Sequence, residues 1–223
     1  MSDALSTDGI VEPPPKSQLR QRDSWDWRDH GVVSGVKNQR ACQCCWAFTA
    51  VATVESLNAQ VTGDLITLSE QELVDCDMLN SHCLPGYTHK AYEYIDQVVT
   101  IDGYRRGPRN QEAALKAAVR RQPVASAVDA SSREFQLYDT GVFDDFCTTQ
   151  VNHAVTIVGY GEEGGLDFWL IKNSYGINWG DQGYIKLRRN IRDRKGKCGI
   201  AMWTYYPRKR AAPKSNISLS IEK

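Results

Sequence analysis

What most constrains the fold of this 223-residue chain is a change of period at Pro123. Before it, apolar residues recur every three to four positions. From Cys45 the series runs through Trp46, Ala50, Val51, Val54 and Leu57 until Thr62-Gly63 stops it. Ser69 followed by Glu72 is a capping-box signature and predicts a second, short helix through Leu73 and Val74. A third helical stretch is expected over 92–99 and a fourth over 113–121, closed by Pro123. After Pro123 come short runs rich in β-branched and aromatic residues, at Val124–Val128, 154–158, 168–171 and 184–187, parted by Gly, Asp and Asn turns. Helices first and strands second predict an α+β chain of two lobes, with a substrate site in the cleft between them.

The ends read differently. Residues 1–22 are polar with a Pro13-Pro14-Pro15 run and are expected to form an arm; 208–223 read as a polar tail. With 27 basic and 27 acidic side chains, nothing recommends nucleic acid or an anionic membrane as a partner. No apolar run approaches the roughly 20 residues that span a bilayer, and the N-terminus lacks the apolar stretch of a secretory signal. The seven cysteines are odd in number, so at least one thiol stays outside any internal disulfide scheme. Bridges imply an oxidising compartment; the missing signal argues the other way.

Three elements carry chemistry. Cys45, in Cys42-Gln43-Cys44-Cys45-Trp46-Ala47-Phe48, stands where a helix begins, and unpaired N–H groups there favour thiolate over thiol. Its bland reading is a packed, inert cysteine. His153 heads the apolar run Ala154-Val155-Thr156-Ile157-Val158, so a rigid element aims its ring. An imidazole there suits both holding a thiolate and protonating a leaving amine; otherwise it is a hydrogen-bonded structural histidine. Asn173 ends the run Phe168-Trp169-Leu170-Ile171-Lys172 and is able to orient a histidine through its far nitrogen. Alone, it is a turn residue. A zinc site drawn from Cys42, Cys44, Cys45, Cys76, His82 and Cys83 is the competing reading, but its spacing is irregular.

In combination, these stretches resemble the papain and cathepsin family of thiol proteases. The resemblance runs from about Trp25 to Pro207 and rests on Asp26-Trp27-Arg28, Asn38-Gln39, the Cys42–Phe48 segment, Leu68-Ser69-Glu70-Gln71-Glu72-Leu73-Val74-Asp75-Cys76, Asn152-His153-Ala154-Val155 and Lys172-Asn173-Ser174. It implies a papain-like fold with a helical lobe over about 23–108 and an antiparallel, β-barrel-like lobe over about 109–207. By the same resemblance Cys45 is the nucleophile, His153 its partner and Asn173 the orienter, and Gln39 completes the oxyanion hole. Gly86 is expected to offer backbone hydrogen bonds to substrate, and Trp179 to wall the cleft. Gln43, Tyr87, Thr88, Ala127, Val151, Asn152, Ala154 and Trp203 are expected around the substrate pockets. Bridges Cys42–Cys83 and Cys147–Cys198 are implied, with no metal and no cofactor. The partners implied are peptide or protein substrates and protein protease inhibitors, met by a monomer in a vacuole or lysosome or outside the cell.

The chain also departs from that pattern. Cys45 and His153 lie 108 residues apart, against about 130–150 in the family. The shortfall falls between about 98 and 103 and leaves Cys76 without its expected partner. Gln43 and Arg40 stand where glycines are usual, Cys44 replaces a helix-capping serine, Leu84-Pro85 replace Asn-Gly, and Tyr175 replaces a tryptophan. The adjacent thiols Cys44 and Cys45 are expected to exchange on oxidation. A non-catalytic homologue that keeps the cleft and binds peptides or inhibitors is the alternative function.

Overall fold

The computed structural model describes residues 24–98 and 101–210. The expected arm, most of the expected tail and position 99 of the third helix lie outside them. Helix α1 (Cys45–Thr62) is the axis of the molecule and is buried nearly all round, as befits a helix with neighbours on both sides. Gly63 ends it at φ 86°, returning its N–H to the Ala59 carbonyl. On one side lie α2 (Glu70–Cys76) and α3 (Thr88–Val98), packing Leu73, Val74, Tyr92 and Ile95 against Trp46, Val51 and Val54. Ser69 precedes α2 in an extended conformation, as expected, but makes no capping hydrogen bond. Instead Lys37 reaches the Leu68 carbonyl at 2.9 Å and Glu70 at 2.6 Å, holding that helix start with a charge. Helix α3 begins four residues before the expected 92, because its first turn, Thr88-His89-Lys90, carries no apolar period to read.

The other lobe is a sheet. Short α4 (Glu112–Val119) and α5 (Arg133–Gln136) accompany β1 (Trp25–Asp26), β2 (Tyr104–Arg106), β3 (Val124–Val128), β4 (Val142–Phe143), β5 (His153–Glu163), β6 (Leu166–Lys172), β7 (Tyr184–Arg188) and β8 (Tyr205–Pro207). Among the described residues the strands run β2-β8-β3-β5-β6-β7-β4, with β1 on β5. Pairing is antiparallel except for β4 with β7, and the sheet does not close on itself. Strands β1 and β2 come from the helical half of the chain and are too short to show a period. Strand β5 runs five residues past the expected 158, through Gly159 and Gly161. A side chain at Gly159 would sit 2.2 Å from the Trp25 carbonyl oxygen, so glycine here admits β1 instead of ending β5.

Each lobe has its own core, one around Trp46 and Tyr92, the other around Trp169, Ile157, Ile171 and Leu187. A polar cluster joins them. Glu55 of α1 is fully buried and accepts from Lys37 at 3.0 Å, from the Leu68 N–H at 2.7 Å and from the Ser34 hydroxyl. Lys172 of β6 donates to the same Ser34 oxygen at 2.9 Å. Burial pulls Lys172 down to about 8, with Glu55 opposing. No helix among the described residues is long and apolar enough to cross a membrane.

Candidate active site

Cys45 is the first residue of α1, at the seam between the lobes. Its Sγ accepts a hydrogen bond from the Ala154 N–H at 3.3 Å, which brings the thiol to the head of β5, next along the chain from His153. Burial pushes the thiol pKa up; the N–H groups of Ala154, Trp46 and Cys45 itself pull it back only in part. Cys44, one residue earlier, turns the other way. It is buried in the helical core, and burial lifts its thiol to about 11. A thiol so rarely ionised and so enclosed is a poor resolving partner, which weighs against the expected exchange with Cys45. Cys44 also makes no side-chain cap for α1.

His153 is buried, and its Nε2 lies 2.7 Å from Asn173 Oδ1. The Ser174 N–H donates to that same Oδ1 at 2.8 Å, which identifies the atom as the acceptor. Nε2 of His153 therefore carries the proton, and Nδ1 is left as the basic nitrogen. Burial lowers the imidazole pKa to about 4, against a raising contribution from Asn173. Tyr175 stacks on the ring at 4.7 Å, in the place where the family usually carries tryptophan, and Trp179 meets Tyr175 edge-on at 5.4 Å. Trp179 is itself pinned by donation to the Gln136 carbonyl at 3.0 Å.

Gln39 sits opposite the start of α1. Its N–H donates to the Ser174 carbonyl at 2.9 Å, and its Oε1 accepts from the Ser174 hydroxyl at 2.5 Å. The side-chain amide nitrogen donates one hydrogen to the Cys42 carbonyl at 2.9 Å, leaving the second without a partner among the described residues. The Cys42–Cys83 bridge ties this loop to segment 80–87, and the Gln43 N–H donates to the Cys83 carbonyl. Gln43 itself is exposed, as is Cys83. Along that segment Trp46 donates to the Leu84 carbonyl at 3.3 Å, and Asn80 accepts from the Tyr87 N–H at 2.8 Å. A Cβ at Gly86 would meet Asn80 and Trp46 within 2.7 Å, so only glycine fits. The Gly86 N–H and C=O have no hydrogen bond among the described residues, leaving an open backbone edge.

The sheet register arranges the remaining residues. Ala154 faces Ala127, His153 faces Val128, and Ala125 faces Tyr205. Trp203 lies two residues before Tyr205, in the bend that leads into β8. Thr88 opens α3 beside the exposed Tyr87, and Val151 packs toward Gly199 near the second bridge, Cys147–Cys198. Asn152 is held by three hydrogen bonds, to Val128 O, from Ala130 N and to Asp129 Oδ1.

Sequence reasoning passed over two of these groups. Asp129 anchors the turn before β5, accepting from Ser131, Thr148 and Asn152; burial opposes its ionisation, but those bonds prevail and hold it down at about 2. A lone Asp after a strand looks like any turn residue. Ser174 lies in the Lys172-Asn173-Ser174 match, but its grip on both Gln39 and Asn173 is visible only once three segments meet.

The family model for papain family cysteine proteases matches residues 21–100 and 96–208. Zingipain-2 of Zingiber officinale is 45% identical over 84% of this chain and 97% of its own length. The probable cysteine protease RDL5 of Arabidopsis thaliana is 45% identical over 88% of this chain, which spans only 61% of that relative. Among solved structures, the bromelain protease of Ananas comosus, with an inhibitor bound, superposes at a TM-score of 0.79 and 41% identity, covering 83% of this chain and 98% of that one. Sequence and architecture agree over the whole described fold, and the chain belongs to the papain family of cysteine proteases.

Proposed function

We propose that this chain is a cysteine endopeptidase working through an acyl-enzyme. The observation that carries the reading is the convergence of the Cys45 thiol on the head of β5 with an imidazole whose proton position is dictated by Asn173. The Cys45 proton passes to His153 Nδ1, and the thiolate attacks the peptide carbonyl. Charging either group alone is opposed by burial; moving one proton between them leaves the pair neutral overall and is helped by the helix start. The oxyanion accepts from the free Gln39 amide hydrogen and the Cys45 N–H. His153 then protonates the leaving amine, and in the second half takes a proton from the water that cleaves the thioester, regenerating the thiol. Substrate lies extended along the unpaired Gly86 backbone.

Trp203 ends the pocket for the second residue before the cut. Its indole limits depth, so Val, Ala or Pro is favoured there and Phe, Leu or Arg disfavoured, by about 1–3 kcal/mol per misfit. Trp203→Ala should extend the choice to Phe and Leu in a peptide library; an unchanged profile would remove Trp203 from the pocket. The natural partners are then peptides, proteins and protein protease inhibitors, and the two disulfides favour an oxidising setting such as a vacuole or the cell exterior. The mechanism is tested by an electrophilic active-site probe. One equivalent should attach to Cys45, with the reaction lost in His153→Ala. Folded protein that refuses the probe would instead be a peptide-binding homologue.

A further inference from the structure

Trp203, two residues before β8, carries two cations over its ring. The Arg106 guanidinium carbon lies 4.7 Å from the indole centroid and that of Arg109 lies 5.0 Å from it. Arg106 also stands directly opposite Tyr205 in the β2–β8 ladder, 6.0 Å over its ring. Directly paired residues share a face of a sheet, and Tyr205 packs on the helical-lobe core together with Ala125. Arg106 therefore lies on the face of the sheet that meets the helical lobe, and Arg109 shares its indole partner. Across the gap His89 stacks on Tyr205 at 5.2 Å and Lys90 sits 5.3 Å over the exposed ring of Tyr87. Glu93 acts on His89 and is engaged by the Tyr104 hydroxyl at 2.8 Å. Neither Arg106 nor Arg109 forms an ion pair among the described residues, and both are exposed.

The geometry points to Arg106 and Arg109 as specificity-determining residues that let this pocket take a short acidic side chain alongside the short apolar ones. The inference rests on the reading of Trp203 as the pocket's end and deepens it: the indole sets the length admitted, and the two guanidiniums set the sign. A guanidinium held over a ring by its charge still has N–H donors to offer a further partner. A carboxylate one carbon from the substrate backbone meets those donors in charge-assisted hydrogen bonds. A lysine or arginine at the same position meets two like charges, which excludes it as effectively as the lack of depth.

Matched peptides that differ only at the second position before the cut, carrying Asp, Asn, Val or Lys, test this. The readouts are kcat/KM with the unmodified protein and, independently of chemistry, calorimetric affinity for the Cys45→Ala protein. Asp should exceed Asn by about fivefold or more at low salt, shrinking as salt screens the exposed charges, and Lys should rank last. In Arg106→Gln/Arg109→Gln the Asp-to-Asn ratio should fall toward one. Equal handling of Asp and Asn by the unmodified protein, or a preference indifferent to both salt and the double substitution, overturns the proposal. The salt dependence decides alone should the double variant fail to fold. An Asp preference in binding without labelling of Cys45 would keep this inference and sink the peptidase reading; labelling and cleavage without it would do the reverse.

Discussion

Asn173 decides which nitrogen of His153 is basic, and it does so because Ser174 has already decided which atom of Asn173 is oxygen. Cys45→Ser and His153→Ala should each abolish cleavage, since each removes a reacting group. Asn173→Ala should reduce kcat by about 10²-fold, because Tyr175 still covers the ring. Its pH profile gives a sharper reading. Burial holds the imidazole down to about 4, so it stays neutral and able to accept the Cys45 proton far below the ordinary histidine range. The acid limb of kcat/KM should therefore fall near pH 4. The Asn173 hydrogen bond favours the protonated ring, so Asn173→Ala should move that limb to lower pH. A limb near 6.5 would mean that the ring is solvated.

At the scale of elements, β5 delivers His153 only because the turn before it is held. Asp129 gathers five donors from Ser131, Thr148 and Asn152 at that turn. Its pKa is depressed to about 2 from an ordinary 3.8. The sign follows by linkage: a carboxylate depressed in the folded state stabilises fully above its unfolded pKa and loses that contribution as pH falls from about 4 to 2. Asp129→Asn should lower stability at pH 6 and flatten the acid limb of the unfolding midpoint. An identical acid limb in the variant would assign the effect to another carboxylate. The elements also mark where a sequence stops being readable. Helix α1 was legible from its apolar period and its glycine stop, and β3 from its β-branched run. Strands β1 and β2 were not, since a strand of two or three residues carries no period and exists only through its partner. The extension of β5 was hidden by glycines that read as breaks but serve as close-approach points.

Across the whole molecule, the lobes meet at a thiol on one side and a strand head on the other, so their relative position is itself part of the site. The Glu55–Lys37–Ser34–Lys172 cluster bridges that seam from behind. Glu55→Ala strips a buried cluster of its only carboxylate shared by Ser34 and Lys37, and should cost about 3–5 kcal/mol in denaturant unfolding. The loss should be larger at pH 6 than at pH 9. Lys172, held near 8 by burial, carries its charge at the lower pH with the pull of Glu55 gone and only the smaller pull of Glu70 left, and is neutral at the higher. Equal losses at both pH values would show that Lys172 does not depend on Glu55.

Helix α1, strands β3, β5, β6 and β7, and the choice of cysteine, histidine and asparagine as the set to look for were legible in the sequence alone. Periodicity and motif are properties of neighbours along the chain, and such properties survive without a fold. Tertiary structure alone decided that Cys44 turns inward, that Ser174 orients Gln39 and Asn173 together, that Asp129 steadies β5, and that two arginines grip Trp203. Each of these is a contact between segments far apart in sequence. Hydrogen bonds and ring stacks act over a few ångströms, and only the packed chain brings those groups that close.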